Sequence, residues 1–481
     1  MIVLATPSLR MISAFSLTPP RSLLCRSLLA DVVLFTMKLS IRCVVLSLCL
    51  ATLPAAVLAQ DAAEDAAVQP ERWNARFQAT YIRQAKPGFS AAYSGVNSLT
   101  PDAEKSYSFT STAYLGLRLL RNTELYFNPE LVQGVAFSGL VGLGGLSNSE
   151  LQKTAGPTPT LYRARLFVRQ TWGLGGERED IASDQNQLAG TRDKNRVVLT
   201  AGNLAVNDVF DVNSYAHDAR TQFMNWSFLA HGAYDYAADA RGYSRGAALE
   251  YYQNGWVLRA GRFMQPREPN VLPLDPDLSR HYGDQVELEK SYLLSGQPGK
   301  ARLLLFRNRA VMGSFSDALA NAAGGVPDTA SVRQLRNKRG WGVNLEQSLS
   351  DTAGVFARMG RSDGASEVFA FAEIDRSLSL GISLKGARWG RALDTFGLAY
   401  ARNGLSGSHR DYLAAGGLGF FVGDGRLNYR PEAIVEGYYS FGLDVLQRSA
   451  LSVGAQYIRN PAYNADRGPV RVFSVRLHTE F

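Results

Sequence analysis

The stretch Leu378-Ser379-Leu380-Gly381-Ile382-Ser383-Leu384-Lys385 places a large aliphatic at every second position. Successive side chains of a β-strand point to opposite faces, so this period describes a strand with one apolar face and one small or polar face. The pattern continues outward from it. Phe396, Leu398 and Tyr400 alternate with Thr395, Gly397, Ala399 and Ala401. Leu451, Val453, Ala455 and Tyr457 alternate with Ser452, Gly454 and Gln456. Near the C-terminus, Phe473, Val475, Leu477 and Phe481 share a face, and Ser474, Arg476, His478 and Glu480 share the other.

Turns set the register. Asn254-Gly255 is a strong hairpin signal, because both residues tolerate the positive φ of a type I′ turn. A two-residue loop there pairs Gln253 with Trp256, Tyr252 with Val257, Tyr251 with Leu258 and Glu250 with Arg259. Charge then lies on one face, with Leu249, Tyr251, Leu258 and Ala260 on the other. A three-residue loop, Asp351-Thr352-Ala353, predicts a pair between Glu346 and Arg358. Val343, Leu345, Leu349, Val355 and Met359 form the opposite face, with Gln347 as the exception.

About 16 to 18 such segments run from Trp73 to Phe481 by the same strand rule. Tight turns fall near Arg121-Asn122, Asn254-Gly255, Gln297-Pro298 and Asp351-Thr352. Long polar stretches, such as Gln265 to Gln285 and Gly313 to Lys338, lie between them. Short turns at one end and long loops at the other are the layout of a transmembrane barrel. A secreted β-sandwich, β-helix or propeller also alternates, but no fixed internal repeat supports the last two. The aromatic Phe481 at the end of an alternating strand favours the barrel.

The N-terminal segment reads as an address. Lys38 and Arg42 precede an apolar run from Cys43 to Leu53, and Val57-Leu58-Ala59 supplies a cleavage site. The expectation is a signal peptide over 37–59, with translation starting at Met37 and residues 1–36 an upstream extension. The barrel domain is then 60–481. The net charge of +8 shrinks once the first 59 residues are set aside, which leaves 46 Lys+Arg against 42 Asp+Glu. That balance gives no reason to expect a nucleic-acid partner. Cys25, Cys43 and Cys49 all fall in the removed segment, so the rest has no disulfide, thiolate metal site or cysteine nucleophile.

Several blocks carry a family resemblance. They are Phe89-Ser90-Ala91-Ala92-Tyr93-Ser94-Gly95, Asn128-Pro129-Glu130, Asn186-Gln187-Leu188-Ala189-Gly190 and the long Asp208-Val209-Phe210-Asp211-Val212-Asn213-Ser214-Tyr215-Ala216-His217-Asp218. Phe223-Met224-Asn225-Trp226, Tyr234-Asp235-Tyr236-Ala237-Ala238-Asp239, Leu413-Ala414-Ala415-Gly416-Gly417-Leu418-Gly419 and Asn460-Pro461-Ala462-Tyr463 follow. Together they resemble the carbohydrate-selective porins of Gram-negative bacteria, the glucose-porin (OprB-like) family. The resemblance implies an all-β, antiparallel outer-membrane barrel of 16 strands and passive diffusion of sugars.

A wide barrel encloses water, so its inward face is polar and its outward face meets lipid. The pore-lining and substrate candidates are Arg163, Arg165, Arg169, Glu250, Arg259, Glu346, Arg358, Lys385, Glu436 and Arg476. Guanidinium forks can bridge neighbouring hydroxyls, and carboxylates accept from the same hydroxyls. Trp226, Tyr252 and Trp256 offer faces for a sugar ring, while Tyr251, Trp256 and Tyr457 also suit interfacial girdles. The 208–218 block is too polar for a lipid-facing strand. One reading folds it inward as a constriction, with Asp208, Asp211, Asn213, His217 and Asp218 as candidates; the plainer one is a surface loop held by Asx turns. No HExxH or GxSxG motif accompanies the five histidines, so no enzyme, metal or cofactor is expected. Expected partners are carbohydrates, outer-membrane lipid and, through Phe481, the outer-membrane assembly machinery. A homotrimer is compatible with porin analogy. The alternatives are a general or other small-polar-metabolite porin, or a barrel that binds surfaces without conducting.

Overall fold

The computed structural model describes residues 69–154, 156–370, 373–443 and 448–481. The expected signal segment and the stretch before it lie outside the described residues. Among the described residues the strands are, in chain order, β1 (Trp73–Lys86), β2 (Glu104–Leu120), β3 (Thr123–Val135), β4 (Thr160–Gly173), β5 (Arg178–Ile181), β6 (Gly190–Asp193), β7 (Arg196–Leu204), β8 (Ser244–Gln253) and β9 (Trp256–Met264). There follow β10 (Tyr282–Leu294), β11 (Gln297–Met312), β12 (Gln334–Ser350), β13 (Ala353–Ser362), β14 (Arg376–Lys385), β15 (Thr395–Gly404), β16 (Glu432–Leu443), β17 (Ser449–Arg459) and β18 (Val470–Glu480). All but β5 and β6 close into one antiparallel barrel of 16 strands. The seam joins β1 to β18, from Gln78 opposite Glu480 to Ala85 opposite Phe473. β5 and β6 form a small separate hairpin.

The Asn254-Gly255 hairpin has the expected register, with Glu250 opposite Arg259 and Tyr251 opposite Leu258. Its two turn residues have φ of 51° and 76°. The second hairpin differs from expectation. Asp351 and Thr352 alone make the turn, and an irregularity between Ser348 and Ser350 shifts the ladder. Arg358 therefore faces Asn344, and Glu346 faces Phe356. The slip is an even number of residues, so both charged side chains keep their inward face. The turn expected near Gln297-Pro298 lies two residues earlier, at Ser295-Gly296.

The side-chain distribution is inverted relative to a soluble domain. Leu258, Leu303, Leu380, Leu398 and Val453 face outward and are exposed, Leu380 by 47%. Arg358, Glu287, Arg302 and Arg476 face inward and are buried. Such a wall is stable only if its outer face meets hydrocarbon. The lumen is not open, because the chain between β7 and β8 (residues 205–243) folds into it, carrying the short helix α1 (Trp226–Leu229). Its Phe223 packs against Phe356 and Tyr438 of the wall at 5.7 and 5.1 Å between ring centres, and Tyr234 packs on Phe306 at 5.2 Å. Helices α2 (Phe315–Asn321) and α3 (Gly407–Ala414) join the long loops at the same end, with Phe315 against Tyr412 at 5.0 Å. The apolar core thus sits inside the barrel, between the wall and this insert.

Candidate functional site

The insert is held by its backbone. Wall carboxylates take its N–H groups: Glu287 accepts from Asp211 (2.7 Å), Glu346 from Ser214 (2.8 Å), and Glu436 from Met224 and Asn225 (2.7 and 2.9 Å). Wall guanidinium groups take its carbonyls. Arg358 donates to Phe228 O (2.9 Å) and Asp211 O (3.1 Å), and Arg476 donates to Ala219 O, Thr221 O and Gln222 O at 2.6–3.0 Å. A loop in a lumen has unpaired peptide groups, and these side chains satisfy them with charge-assisted bonds.

Among the described residues the insert leaves space beside β4 and β7–β11, which we call the passage. It consists of three compartments of about 340, 490 and 770 Å³ in sequence. The first is lined by Arg165, Arg220, Arg241, Lys153, Glu150, Asp218, Tyr243 and Trp226, among others. The second is lined by Arg169, Arg196, Glu250, Tyr252, Arg259, Glu289 and Arg302. The third opens beside Asn254-Gly255 and adds Glu177, Glu179, Lys194 and Trp256. Gln185, Asn186, Asp208 and His217 border both the first and second compartments and form the neck between them. Arg192, Arg196, Tyr252, Arg259, Glu289 and Lys300 border both the second and third.

Both signs of charge line the passage, mostly paired. Arg259 contacts Glu250, Glu287 and Glu289 at 2.8–3.0 Å, and Arg302 bridges Glu289 (2.7 Å) and Glu346 (3.3 Å). Arg220 reaches from the insert to Glu130 (2.6 Å) and Glu150 (2.8 Å). Arg165 grips Asp208 with two bonds of 2.7 and 2.6 Å. Enclosure alone would raise the Asp208 carboxyl, but the Arg165 guanidinium overrides it and holds the acid below its usual range. Asp218 is held down in the same way against burial, by Arg220. Burial, helped by Arg358, pushes the His217 imidazole below its ordinary value, so it is neutral at pH 7. Its Nδ1 lies 3.1 Å from Leu229 O, an acceptor, so Nδ1 carries the proton and Nε2 is the free acceptor. The guanidinium carbon of Arg196 lies 3.9 Å from the centre of the Tyr252 ring.

The sequence candidates divide into four groups. Arg165, Arg169, Glu250 and Arg259 border the passage, as do Asp208, His217 and Asp218 of the insert. Glu346, Arg358, Glu436 and Arg476 face inward but serve as clamps. Asp211 and Asn213 are the insert's own anchors, bonded to Asn344 at 2.7 Å each. Arg163 and Lys385 lie elsewhere. A register shift opposite Asn128-Pro129 leaves Ala164 and Arg165 both inward and turns Arg163 to the outer surface, where it is exposed. Lys385 is exposed at the end of β14, opposite Thr395. Sequence reasoning missed Gln185, Arg192, Arg196, Glu289 and Lys300. It quoted Asn186 only as part of a block without a role. The signal was available: residues 174–195 form a long polar connection at the end where four of the other connections are two residues and the longest, 386–394, is nine. Among the described residues no cluster of His, Cys, Asp and Glu could hold a metal ion.

A closed 16-strand barrel, apolar outside and with charged compartments inside, defines a porin-type channel. The family model described as "Carbohydrate-selective porin, OprB family" matches residues 98–481, and the chain belongs to that family. It is a sugar channel of the Gram-negative outer membrane. Among solved structures the chain is similar to OprB of Pseudomonas putida, described as a high-pH structure, with a TM-score of 0.65 and 15% identity over 85% of this chain and 94% of that one. More distant are OccAB1 of Acinetobacter baumannii (TM-score 0.47, 8% identity, 85% and 97% covered) and OccK2 of Pseudomonas aeruginosa (0.41, 11%, 85% and 97%). A search of curated proteins finds no match.

Proposed function

We propose that the passage carries neutral monosaccharides of glucose size by passive diffusion, through the neck formed by Asp208, His217, Gln185 and Asn186. The observation that carries this reading is that the three compartments lie along one wall and share lining residues from one to the next. Paired Arg and carboxylate groups on either side of the neck supply donors and acceptors for hydroxyls at little net charge. Apolar solutes lose on entering such a lining, and tight binding would stall release. Solute crosses without chemical change, so no catalytic role is assigned. The outward belt is assigned to lipid. Phe481, whose backbone exchanges two hydrogen bonds with Phe77 (2.9 and 3.0 Å), is assigned to recognition by the assembly machinery. A homotrimer is the proposed assembly, read by cross-linking in membranes.

Liposome swelling with glucose, other monosaccharides, disaccharides and charged solutes tests the main reading. Fast swelling with monosaccharides and slow swelling with disaccharides and ions of similar mass is expected. Equal rates for all solutes favour the general porin instead, and no swelling at all favours a barrel that does not conduct.

A further inference from the structure

A large part of the neck comes from an unexpected direction. The connection between β4 and β7 leaves the short-turn end of the barrel, where Thr171 N bonds Asn122 O and Asn195 Oδ1 accepts from Asn254 N. Short turns face the periplasm in barrels of this class. Its hairpin, β5 and β6, then projects a tip, residues 182–189, back up the lumen. The tip is fixed. Asn74 Nδ2 donates to Gln187 O (2.8 Å) and Ser183 Oγ (3.0 Å), Arg169 donates to Asn186 O (2.9 Å), and Asn128 Nδ2 donates to Asn186 Oδ1 (2.9 Å). Leu188 is buried, and its N–H donates to Tyr126 OH.

We infer that Gln185 and Asn186 are specificity-determining residues: they form an amide jaw at the neck that hydrogen-bonds sugar hydroxyls opposite His217 and Asp208. The inference deepens the sugar reading and rests on it. Asn186 Nδ2 and Gln185 Oε1 have no protein partner among the described residues, which leaves one donor group and one acceptor for solute. Across the neck, His217 presents a bare acceptor nitrogen. The neck carries no net charge, since Arg165 neutralises Asp208, His217 is neutral and the two amides are neutral. An ion gains no counter-charge from these four side chains, the Arg169 guanidinium lying at the edge of the neck on Asn186 O, whereas a polyol replaces its water partners there. Asn186 has a φ of 53°, a conformation that Asn and Gly tolerate better than other residues, so its side-chain direction is built into the turn.

The test uses the refolded barrel in planar bilayers, with glucose block of the ion current as readout. Asn186→Gly keeps the backbone conformation and removes the amide; Gln185→Ala removes the other. The double variant is expected to raise the half-blocking glucose concentration about tenfold, the size of about one to two lost hydrogen bonds. Asn186→Asp is expected to move the reversal potential toward cation selectivity. The mature chain has no other cysteine, so Gln185→Cys gives a second reading: a charged thiol reagent is expected to lower its current. If glucose blocks the wild-type channel and all these variants behave like it, the amide jaw is wrong and the sugar reading stands. If glucose neither blocks nor crosses the wild-type channel, the sugar reading itself falls. Should Asn186 variants fail to fold, a folded Gln185→Cys channel whose current ignores the reagent overturns the inference alone.

Discussion

At the scale of single residues, inward charges do two jobs that look alike in sequence. Glu250 and Glu436 both sit on inward faces of alternating strands, yet one borders the passage and the other grips Met224 and Asn225. The difference depends on which peptide groups of a loop arrive opposite each carboxylate, and no local pattern encodes that. Glu436→Ala leaves two buried N–H groups unpaired, at about 1–3 kcal/mol each. The expected result is a lower unfolding temperature in detergent and a noisier current. His231 is a second case. It is buried against Tyr234 and Phe306, its ring nitrogens lack partners, and burial lowers its pKa to about 4. An unfolded histidine titrates near about 6.5. The unfolded chain thus takes up a proton that the folded one refuses, so this stability is complete above about pH 6.5 and falls as pH drops toward 4. The loss reaches about 3 kcal/mol. His231→Phe is expected to flatten the acid limb of a stability-against-pH curve; an unchanged limb counts against the assignment.

At the scale of elements, period and turn chemistry were legible. The Asn-Gly hairpin has its expected partners because a two-residue I′ turn allows one register. The Asp351-Thr352 hairpin kept its faces but not its pairs, because a bulge adds residues without a composition signal. The 208–218 block, too polar for a lipid-facing strand, packs against the inner wall, but its division into passage residues and anchors was not readable. The wall prepares for this insert: a Cβ on Gly342 or Gly360 would lie 2.3 or 2.2 Å from the His231 ring. Gly342→Ala is expected to displace the insert, raise conductance and weaken sugar selectivity. Replacing residues 208–218 by a flexible linker is expected to do the same more strongly; unchanged single-channel conductance would show that the block does not narrow the passage.

At the scale of the whole molecule, the estimate of 16 to 18 segments covers the 16 barrel strands and the two of the lumen hairpin. Alternation with two chemically different faces carries this architecture, since one solvent is hydrocarbon and the other water. Leu380→Arg, at the middle of an outward face, is expected to cost about 2–4 kcal/mol in denaturant unfolding from lipid vesicles. The same change at an outward position beside a turn is expected to cost about 0–1 kcal/mol.

The pairing of Ala79 with Thr479 has a further effect. The two ribbons that seal the cylinder lie at opposite ends of the barrel sequence, so the seam stays open until both are in place. A chain broken off before Val470 has two raw borders, each free to recruit a foreign ribbon. Closure therefore waits on the full set of strands, and a cylinder short of its last one is an aggregation hazard rather than a leaky pore.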